Sequence, residues 1–496
     1  MKKKEIKLKN MYAASLTLST LVMALLLAAP GLARAQTTRK FEPQQLREDF
    51  QIARQSLVEG HSCLYRCAKK TDLDRIFDKA EKSLDHPMDS YEFYRVMAPT
   101  IAAIKCGHTG VGMPPDVRAE IEGLPWLPFN VKVLDSRIYI FRDCAKGGTL
   151  AGKENQSINR VPAARIISTM LAASMKDGDV QTTRQRDISG DFGWYLITLL
   201  GFRAPYEVVI AGAGSNRTEK VQVAGLKHDE LARMSKKLYP QDEGSKEFAD
   251  LKFLDEGQIA RLTYSIFGEN VEEGRAFMKR AFESIQSKGS KALILDLRGN
   301  SGGEGELGGL LLSYLLETPF RYYDDLIVNK NCGMSYSFAK YTDPHRDLIV
   351  PQGMTELRAD GKVHQIVDSL LGLQQPSKPA FTGPVYILID GGCLSTTSEF
   401  LTEIDVHHRA TFIGEETAGC YYGNNSGTVI KITLPNTKLG IFIPLMSCYM
   451  SVGGSHEHDA ARGVLPNFPV KRTIADLVAG VDKDLELALE LSRKSR

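Results

Sequence analysis

KALILDL, residues 291–297, is a continuous apolar run of the kind that forms a strand buried on both faces of a parallel sheet. VYILID at 385–390 and ATFIGEE at 410–416 repeat the pattern further along the chain. Helical periodicity covers residues 272–288. Strands that alternate with helices predict an α/β fold with a mostly parallel sheet over residues 250–475, in which 291–297 and 385–390 are neighbours.

The segments on either side of this core have different patterns. Residues 36–115 have apolar residues at helical spacing and are expected to form a helical segment. Residues 124–225 contain alternating stretches and turn residues, which predict a small β-rich domain with helical inserts. A helical pattern near the end of the chain predicts a single closing helix over residues 476–496.

The first 35 residues are expected to be a signal peptide that is removed on export. Five lysines, an apolar run and small residues around Arg34 form a secretory signal. The alternative is an uncleaved membrane anchor, but polar residues interrupt the run, and no later stretch is long and apolar enough to span a bilayer. We therefore predict an exported protein, periplasmic or secreted, with no stable membrane insertion after cleavage of residues 1–35.

The composition indicates a globular protein and gives no sign of nucleic-acid binding. With 43% hydrophobic and 25% charged residues among 496, the chain has an ordinary globular composition. Its formal net charge of +2 at pH 7 gives no basis for nucleic-acid binding. All eight cysteines lie after residue 35, where an oxidising compartment permits disulfides, but the sequence does not choose among their pairings.

The stretch GGCLSTTSEF, residues 391–400, places a serine where a predicted strand turns into a helix. A hydroxyl there lies beside the free N–H groups and the positive end of the helix, where an oxyanion can be held. Ser395 is thus a candidate nucleophile. Taken alone, however, the stretch favours a structural interpretation, in which Ser395 or Thr396 caps the helix and Thr396 forms a capping box with Glu399.

Glycines follow the strand at 291–297, in the stretch DLRGNSGGEGELGG. A phosphate-binding loop is one option, but no Gly-Lys-Ser/Thr is present and Glu304 and Glu306 would repel a phosphate. An oxyanion hole fits better, since it needs only backbone N–H groups. His108, which two glycines frame, is the histidine best suited to approach such a site, although a lone histidine in this setting is more often structural.

Six stretches resemble, in order, the serine peptidase family that includes the C-terminal-processing proteases and the tricorn core. They lie between residues 61 and 489 and read HSCLYRC, FYRVMAPTIAAIKCGHTGV, KALILDLRGNSGG, YILIDGGCLSTTSEFLTEI, ATFIGEETAG and RGVLPNFPV. The resemblance implies an exported serine peptidase with a crotonase-like catalytic core at 250–475 and a PDZ-like domain at 124–225. It also implies a peptide or unfolded-protein substrate, which the PDZ-like domain would bind as an extra strand at a sheet edge. It implies no metal or other cofactor.

The resemblance assigns roles to residues of the predicted site. Ser395 would attack the scissile carbonyl, and His108 would take its proton and pass it to the leaving amine. The N–H groups of Thr396 and of Gly302 or Gly303 would hold the oxyanion.

Further positions follow from the resemblance. The orienting acid would precede the Arg-Gly-Val stretch, where the nearest candidates are Glu457 and Asp459. Relatives that use a Ser–Lys pair have the lysine at the position of Cys420, so this chain resembles the Ser–His arrangement of tricorn. The family brings the stretches around Cys393 and Cys420 together, which predicts a disulfide between them, with two small buried side chains as the alternative.

Departures from the family's pattern leave alternatives open. The family's glutamate stands three residues after the nucleophile, whereas Glu399 stands four after Ser395, so Ser398 is the second candidate nucleophile. Tricorn-like members have a serine before the histidine, where this chain has Gly107. Both departures favour the alternative function, an inactive relative that binds a peptide or another ligand in the same cleft. A hydrolase of non-peptide acyl compounds would use the same residues, and no oligomeric state is predicted.

Overall fold

The computed structural model describes residues 39–212, 214, 217–240, 247–268, 270–329, 336–342, 353–452 and 458–495. The predicted signal peptide at 1–35 therefore lies outside the described residues. Within these ranges, no helix is long and apolar enough to cross a membrane.

Helices dominate the first described segment, in agreement with the prediction for residues 36–115. α3 begins at a capping box, in which Asp89 accepts the N–H of Glu92 over 2.8 Å. The segment also contains a short strand, β1, which the sequence did not indicate. Its elements are α1 (Pro43–Gly60), α2 (Lys70–Lys82), α3 (Ser90–Ala102), β1 (Gly110–Gly112) and α4 (Pro115–Gly123).

The next segment combines an antiparallel sheet with helices. The strand order is β3-β4-β5-β7-β8, β6 pairs with β5, and the short β2 pairs with β9. The helical inserts predicted here are three helices between β6 and β7. The elements are β2 (Pro125–Trp126), β3 (Phe129–Leu134), β4 (Arg137–Asp143), β5 (Glu154–Ile158), β6 (Val161–Pro162), α5 (Ala163–Ala173), α6 (Gln181–Gly190), α7 (Phe192–Thr198), β7 (Tyr206–Ala211), β8 (Thr218–Val223), β9 (Leu226–Lys227) and α8 (His228–Leu238).

The remaining elements alternate between strand and helix, as the α/β pattern predicts. They are β10 (Ala249–Leu254), β11 (Ile259–Tyr264), α9 (Val271–Lys288), β12 (Ala292–Asp296), α10 (Gly305–Ser313), β13 (Phe320–Arg321), β14 (Tyr323–Val328), β15 (Thr355–Leu357), β16 (Val363–Gln365), β17 (Leu373–Gln374), β18 (Val385–Ile389), α11 (Thr396–Val406), β19 (Thr411–Gly414), β20 (Asn425–Thr433), β21 (Gly440–Met450), β22 (Phe468–Pro469), α12 (Ile474–Ala479) and α13 (Lys483–Lys494).

The central sheet has the order β10-β11-β12-β18-β19-β22, and it is parallel from β11 onward. β12 and β18 pair directly, with Leu293 opposite Val385, which confirms the predicted neighbours. Both strands are buried along their whole length because each face is covered. Leu293 belongs to the cluster formed with α9, α10 and α11, whereas Ala292 and Ile294 belong to the cluster formed with α13.

A second sheet joins β1, from the helical segment, to strands from the later part of the chain. Its order is β1-β21-β14-β16-β15, with β20 also paired to β21. β1 pairs antiparallel with β21, so Gly110 lies opposite Phe442. Three residues of Gly-Val-Gly are too short for a strand pattern, and only pairing with a distant partner makes them a strand.

The region predicted to hold the closing helix forms two helices, α12 and α13. Gly480 ends α12 in a left-handed conformation with φ +71°, which a glycine adopts without a steric penalty. α13 then begins after Asp482, whose side chain accepts the N–H of Leu485.

Asp49 anchors α1 to the turn between β20 and β21. Its carboxylate is fully buried and accepts the backbone N–H of Asn436 over 3.0 Å and that of Thr437 over 2.7 Å. The hydroxyl of Thr437 donates to the same carboxylate over 2.6 Å. The helical segment is thus fixed to the second sheet by one buried carboxylate.

We expect Asp49→Ala to lower the free energy of unfolding by about 2–4 kcal/mol, because it leaves buried N–H donors without an acceptor. Glu48→Ala is the matched control: Glu48 is exposed and accepts only from the Asn436 side chain, so its removal should cost less than about 1 kcal/mol. Urea denaturation of both variants measures the difference. Equal effects of the two substitutions would contradict the anchoring role.

Candidate active site

The turn between β18 and α11 holds Ser395 in a strained backbone conformation. Its φ of 56° and ψ of −131° lie where residues with a Cβ are rarely found, at a cost of about 1–3 kcal/mol. The Ser395 side chain makes no capping hydrogen bond to α11, and Thr396 Oγ1 donates instead to the Gly303 carbonyl over 2.6 Å. The capping interpretation that the sequence alone favours therefore does not describe this turn.

Ser398, the second candidate nucleophile, is packed inside the fold. Its hydroxyl donates to the Ser395 carbonyl over 2.8 Å, and the residue is only 2% exposed. A Cβ added to Gly419 would lie 2.0 Å from Ser398 Oγ, so this hydroxyl rests against a glycine backbone. These contacts favour Ser395 as the accessible hydroxyl of the pair.

The glycine-rich turn after β12 lies directly against Ser395. A Cβ added to Gly302, whose φ is +100°, would be 2.6 Å from Ser395 Cβ and 2.9 Å from the Thr396 amide nitrogen. Gly303 has φ +133°, and its added Cβ would overlap the Phe267 carbonyl oxygen at 1.7 Å. Glycine is therefore required where this turn approaches the serine.

The backbone N–H groups of this turn differ in whether they already have an acceptor. The Gly302 N–H donates to Asn300 Oδ1 over 2.9 Å, and Asn300 Nδ2 is fixed by the Tyr264 carbonyl at 2.8 Å. The N–H groups of Gly303 and Thr396 donate to no acceptor among the described residues. Of the two predicted glycine donors, Gly303 is thus the one whose N–H is available to donate to an oxyanion.

His108 lies in the turn that joins α3 to β1, beside a carboxylate that the sequence did not reveal. The Gly107 N–H donates to Asp177 Oδ1 over 2.6 Å, and ligand atoms of Cys106, His108 and Asp177 lie within 4.8 Å of one another. His108 Nδ1 and Asp177 Oδ2 are buried without a partner in the described part of the chain. Burial lowers the pKa of His108 and raises that of Asp177, while their mutual attraction opposes both shifts.

The turn with His108 and the turn with Ser395 lie next to each other at Gly107 and Leu394. A Cβ added to Gly107 would lie 3.4 Å from Leu394 Cδ1 and 3.4 Å from the Asp177 carboxyl carbon. Leu394 directly precedes Ser395. Two stretches that the sequence singled out, far apart along the chain, are therefore in contact.

Asp177 lies beside His108, whereas the sequence predicts the orienting acid at Glu457 or Asp459. Asp459 is exposed, and its Oδ1 accepts the Ala461 N–H over 2.9 Å, whereas Glu457 lies outside the described residues. Asp177 follows α5 in a loop that resembles none of the six family stretches. No local signal identifies it, because only the packing of this loop against the turn with His108 brings the two side chains together.

Asp390, at the end of β18, ties the two turns of the site together. Its Oδ1 accepts the N–H of Gly299 and that of Gly392, each over 2.8 Å. Its Oδ2 pairs with Arg186 of α6 over 2.6 Å. One carboxylate thus fixes the glycine-rich turn, the serine turn and a helix of the preceding segment.

The cysteines near the site are arranged differently from the predicted pairing. Cys393 donates to the Leu297 carbonyl over 3.2 Å, and no disulfide joins it to Cys420. The Cys420 sulfur instead lies 3.8 Å from the sulfur of Cys67. The prediction failed because the neighbour of Cys420 comes from the loop before α2, which the sequence does not associate with this region.

A cleft of about 880 Å³ opens beside these turns. It lies between the segment of β3, α6 and α8 and the turns of the central sheet. Residues from both sides line it, among them Val131, Thr183, Arg186, Ser301, Leu394 and Ala418.

Two glutamates of α11 are buried behind Ser395. Glu399 accepts from Tyr323 Oη over 2.7 Å and from Asn424 Nδ2 over 2.8 Å; burial raises its pKa and these hydrogen bonds oppose the rise. Among the residues that the structure describes, Glu403 accepts only from the Ser451 N–H, over 3.0 Å. Burial raises the pKa of Glu403 to about 9.

Comparison with known proteins gives one family match and several similar folds. Residues 258–470 match the sequence model of peptidase family S41. No curated protein matches the chain by sequence. The structure of mature CPAF complexed with lactacystin has a TM-score of 0.61 at 15% identity, covering 91% of this chain and 99% of that chain. The similarity to CPAF shows a shared fold.

Two further solved structures are similar at lower scores. A putative peptidase from Parabacteroides merdae ATCC 43184 has a TM-score of 0.47 at 16% identity, covering 90% of this chain and 96% of that chain. The photosystem II D1 C-terminal processing protease has a TM-score of 0.42 at 14% identity, covering 89% of this chain and 95% of that chain.

We expect Glu403→Gln to stabilise the protein increasingly as the pH rises from 5 to 8. In this range the folded protein keeps the Glu403 proton, which the unfolded chain has lost, so wild-type stability falls with rising pH. The difference in unfolding free energy between variant and wild type should grow by at least about 1 kcal/mol over this range. Urea denaturation at several pH values measures it.

Glu283→Gln, at an exposed position of α9, is the control and should change stability by less than about 0.5 kcal/mol throughout. A difference between Glu403→Gln and wild type that does not vary with pH would contradict a protonated Glu403.

Proposed function

Residues 258–470 belong to peptidase family S41, and we propose that this serine-type peptidase cleaves peptide bonds with Ser395 as nucleophile and His108 as general base. The observation on which the proposal rests most is that the turn with His108 lies next to the strained Ser395 turn. Family membership supports the reaction class, and this proximity supports the choice of residues.

The conformation of Ser395 supports its role as nucleophile. A non-glycine residue keeps a positive φ only where its surroundings enforce it, and such residues are frequent at active sites. Its hydroxyl is not used as a helix cap, and the first N–H groups of α11 lie beside it. Ser395 Oγ would attack the scissile carbonyl, and the developing negative charge would meet the N–H groups of Thr396 and Gly303.

His108 would take the proton from Ser395 and pass it to the leaving amine. Its lowered pKa keeps the imidazole neutral at neutral pH, as a general base requires. We assign Asp177 as the acid that orients His108, in place of Asp459, because Asp177 is buried beside the imidazole and has an oxygen without a partner.

We infer the substrate class from the family and the cellular location of the protein from the sequence of residues 1–35. The substrates are peptides or proteins, and we propose that an extended chain enters the cleft along β3, an edge strand of the sheet β3-β4-β5-β7-β8. We propose the segment at 124–225 as a PDZ-like domain and the segment at 250–475 as a crotonase-like peptidase core. The signal at 1–35 supports export to the periplasm or the medium.

We expect a fluorophosphonate probe to label the folded, signal-free protein at Ser395. Ser395→Ala should abolish labelling, because it removes the attacking oxygen. His108→Ala should lower the labelling rate by about 10²–10⁴-fold, the usual contribution of a general base. Ser398→Ala should retain most of the labelling. In-gel fluorescence with time measures all three variants against wild type.

Two outcomes would overturn the assignment. Labelling that survives Ser395→Ala and disappears with Ser398→Ala would move the nucleophile by three positions. A folded wild-type protein that neither labels nor cleaves an unfolded-protein substrate would favour the inactive, ligand-binding alternative.

We expect Asp177→Asn to lower kcat for peptide cleavage by about 10²-fold or more, with KM little changed, because the amide keeps an acceptor for the Gly107 N–H but loses the charge. Two control variants, Asp179→Asn and Asp459→Asn, should remain active. Asp179 is a half-exposed carboxylate that pairs with Lys105, and Asp459 is exposed. Activity should persist in EDTA, since no metal takes part. Loss of activity with Asp459→Asn but not with Asp177→Asn would contradict our assignment.

A further inference from the structure

We propose that Cys67 and Cys420 form a disulfide that fastens the loop before α2 to the loop after β19, beside His108 and Asp177. Their sulfur atoms are 3.8 Å apart, although the two residues are separated by 353 positions. Among the seven cysteines that the structure describes, this is the one pair whose sulfur atoms approach within hydrogen-bonding distance of each other. A disulfide requires a further approach to about 2.05 Å, a closing movement of about 2 Å.

The other described cysteines near the site are engaged with different atoms. The Cys63 sulfur lies 3.6 Å from Tyr449 Oη, and the Cys448 sulfur lies 3.5 Å from Ser426 Oγ. Cys393 donates to a backbone carbonyl, as described above, and the Cys106 sulfur lies 3.9 Å from the carbonyl oxygen of Asn425. A disulfide from any of these cysteines to Cys67 or Cys420 would break one of these contacts. A disulfide between Cys67 and Cys420 would only convert their existing contact into a bond.

The two thiols differ in a way that suits thiol–disulfide exchange. Cys67 is partly exposed, whereas Cys420 is buried. The hydrogen bond from Cys420 lowers the pKa of Cys67, and the Gly178 N–H acts in the same direction. Cys67 is therefore the thiol that an external oxidant reaches first, and Cys420 is the thiol placed to displace it.

The reaction balances with a small disulfide as the oxidant. The Cys67 thiolate attacks one sulfur of oxidised glutathione, forming a mixed disulfide and releasing one glutathione thiolate. The contact with Cys67 and burial raise the pKa of Cys420, so it enters this step as a thiol. Its sulfur attacks the Cys67 sulfur, and its proton passes to the second glutathione, which leaves as a thiol. Two protein thiols are oxidised by two electrons to one disulfide, and the oxidant is reduced to two thiols.

The loop that this disulfide would fasten already docks onto the core. Arg66, next to Cys67, donates to the carbonyls of Tyr422, Asn424 and Cys448 over 3.0, 2.9 and 3.1 Å. The Gly178 N–H lies against the Cys67 sulfur, and Gly178 directly follows Asp177. A covalent link here would therefore oppose movement of the loop with Asp177 away from the core, which matters for catalysis if the proposed function holds.

The test uses the full signal-free chain in glutathione buffers of increasing oxidised fraction. Free thiols are alkylated, the protein is digested without reduction, and the peptides are identified by mass spectrometry. We expect a peptide pair joined through Cys67 and Cys420 in oxidised samples and two alkylated cysteines in reduced ones. Oxidised wild type should also melt a few degrees above the reduced protein, because the link restrains the unfolded chain.

Variants separate this pair from general effects of oxidation. Cys67→Ser and Cys420→Ser should abolish the difference in melting temperature, whereas the control Cys144→Ser should retain it. Alkylation of both cysteines at every oxidised fraction, a persistent glutathione adduct on Cys67, or a link from either residue to another cysteine would overturn the proposal. Absence of peptidase activity in all forms would count against the proposed function and leave the peptide map unaffected.

Discussion

The arrangement of the site depends on the hydrogen bonds and the ion pair that the Asp390 carboxylate makes. It stands where β18 ends, and its contacts with Gly299, Gly392 and Arg186 fix three pieces of chain at one point. Parallel pairing of β12 and β18 places the turns that follow them at the same edge of the sheet. The carboxylate then sets the separation of these turns, so that Gly302 can lie against Ser395. A strained serine is kept in place only where its surroundings are fixed in this way.

The other half of the site reaches this edge by contacts between distant parts of the chain. β1 pairs with β21, Asp49 holds α1 to the turn before β21, and His61 Nε2 lies 3.0 Å from Thr109 Oγ1 in the turn with His108. Each contact joins parts of the first 112 residues to the second sheet or to each other. The position of the turn with His108 therefore depends on the whole fold, because no single described element holds it beside the turn with Ser395.

The parts of the fold that the sequence predicts are those with a strong local pattern. The buried strands β12 and β18, the helix α9 and the entrance to α11 follow from apolar runs and glycines within a few residues. β1 and Asp177 could not be predicted, since a three-residue strand has no periodicity and an acid in a loop has no partner in its own neighbourhood. The break at Gly480 and the approach of Cys67 to Cys420 were missed for related reasons: one depends on a single glycine, the other on loop packing.

We propose Ser395, with the N–H groups of Gly303 and Thr396, as the reacting centre of this peptidase. A crystal structure of the protein after reaction with a fluorophosphonate would locate the phosphorus and its oxygens at this centre. We expect a covalent bond to Ser395 Oγ, with one phosphoryl oxygen about 2.7–3.1 Å from the amide nitrogens of Gly303 and Thr396. We also expect the His108 imidazole within hydrogen-bonding distance of Ser395 Oγ. An adduct on Ser398, or on Ser395 with its oxygen turned away from both amides, would rule out this centre.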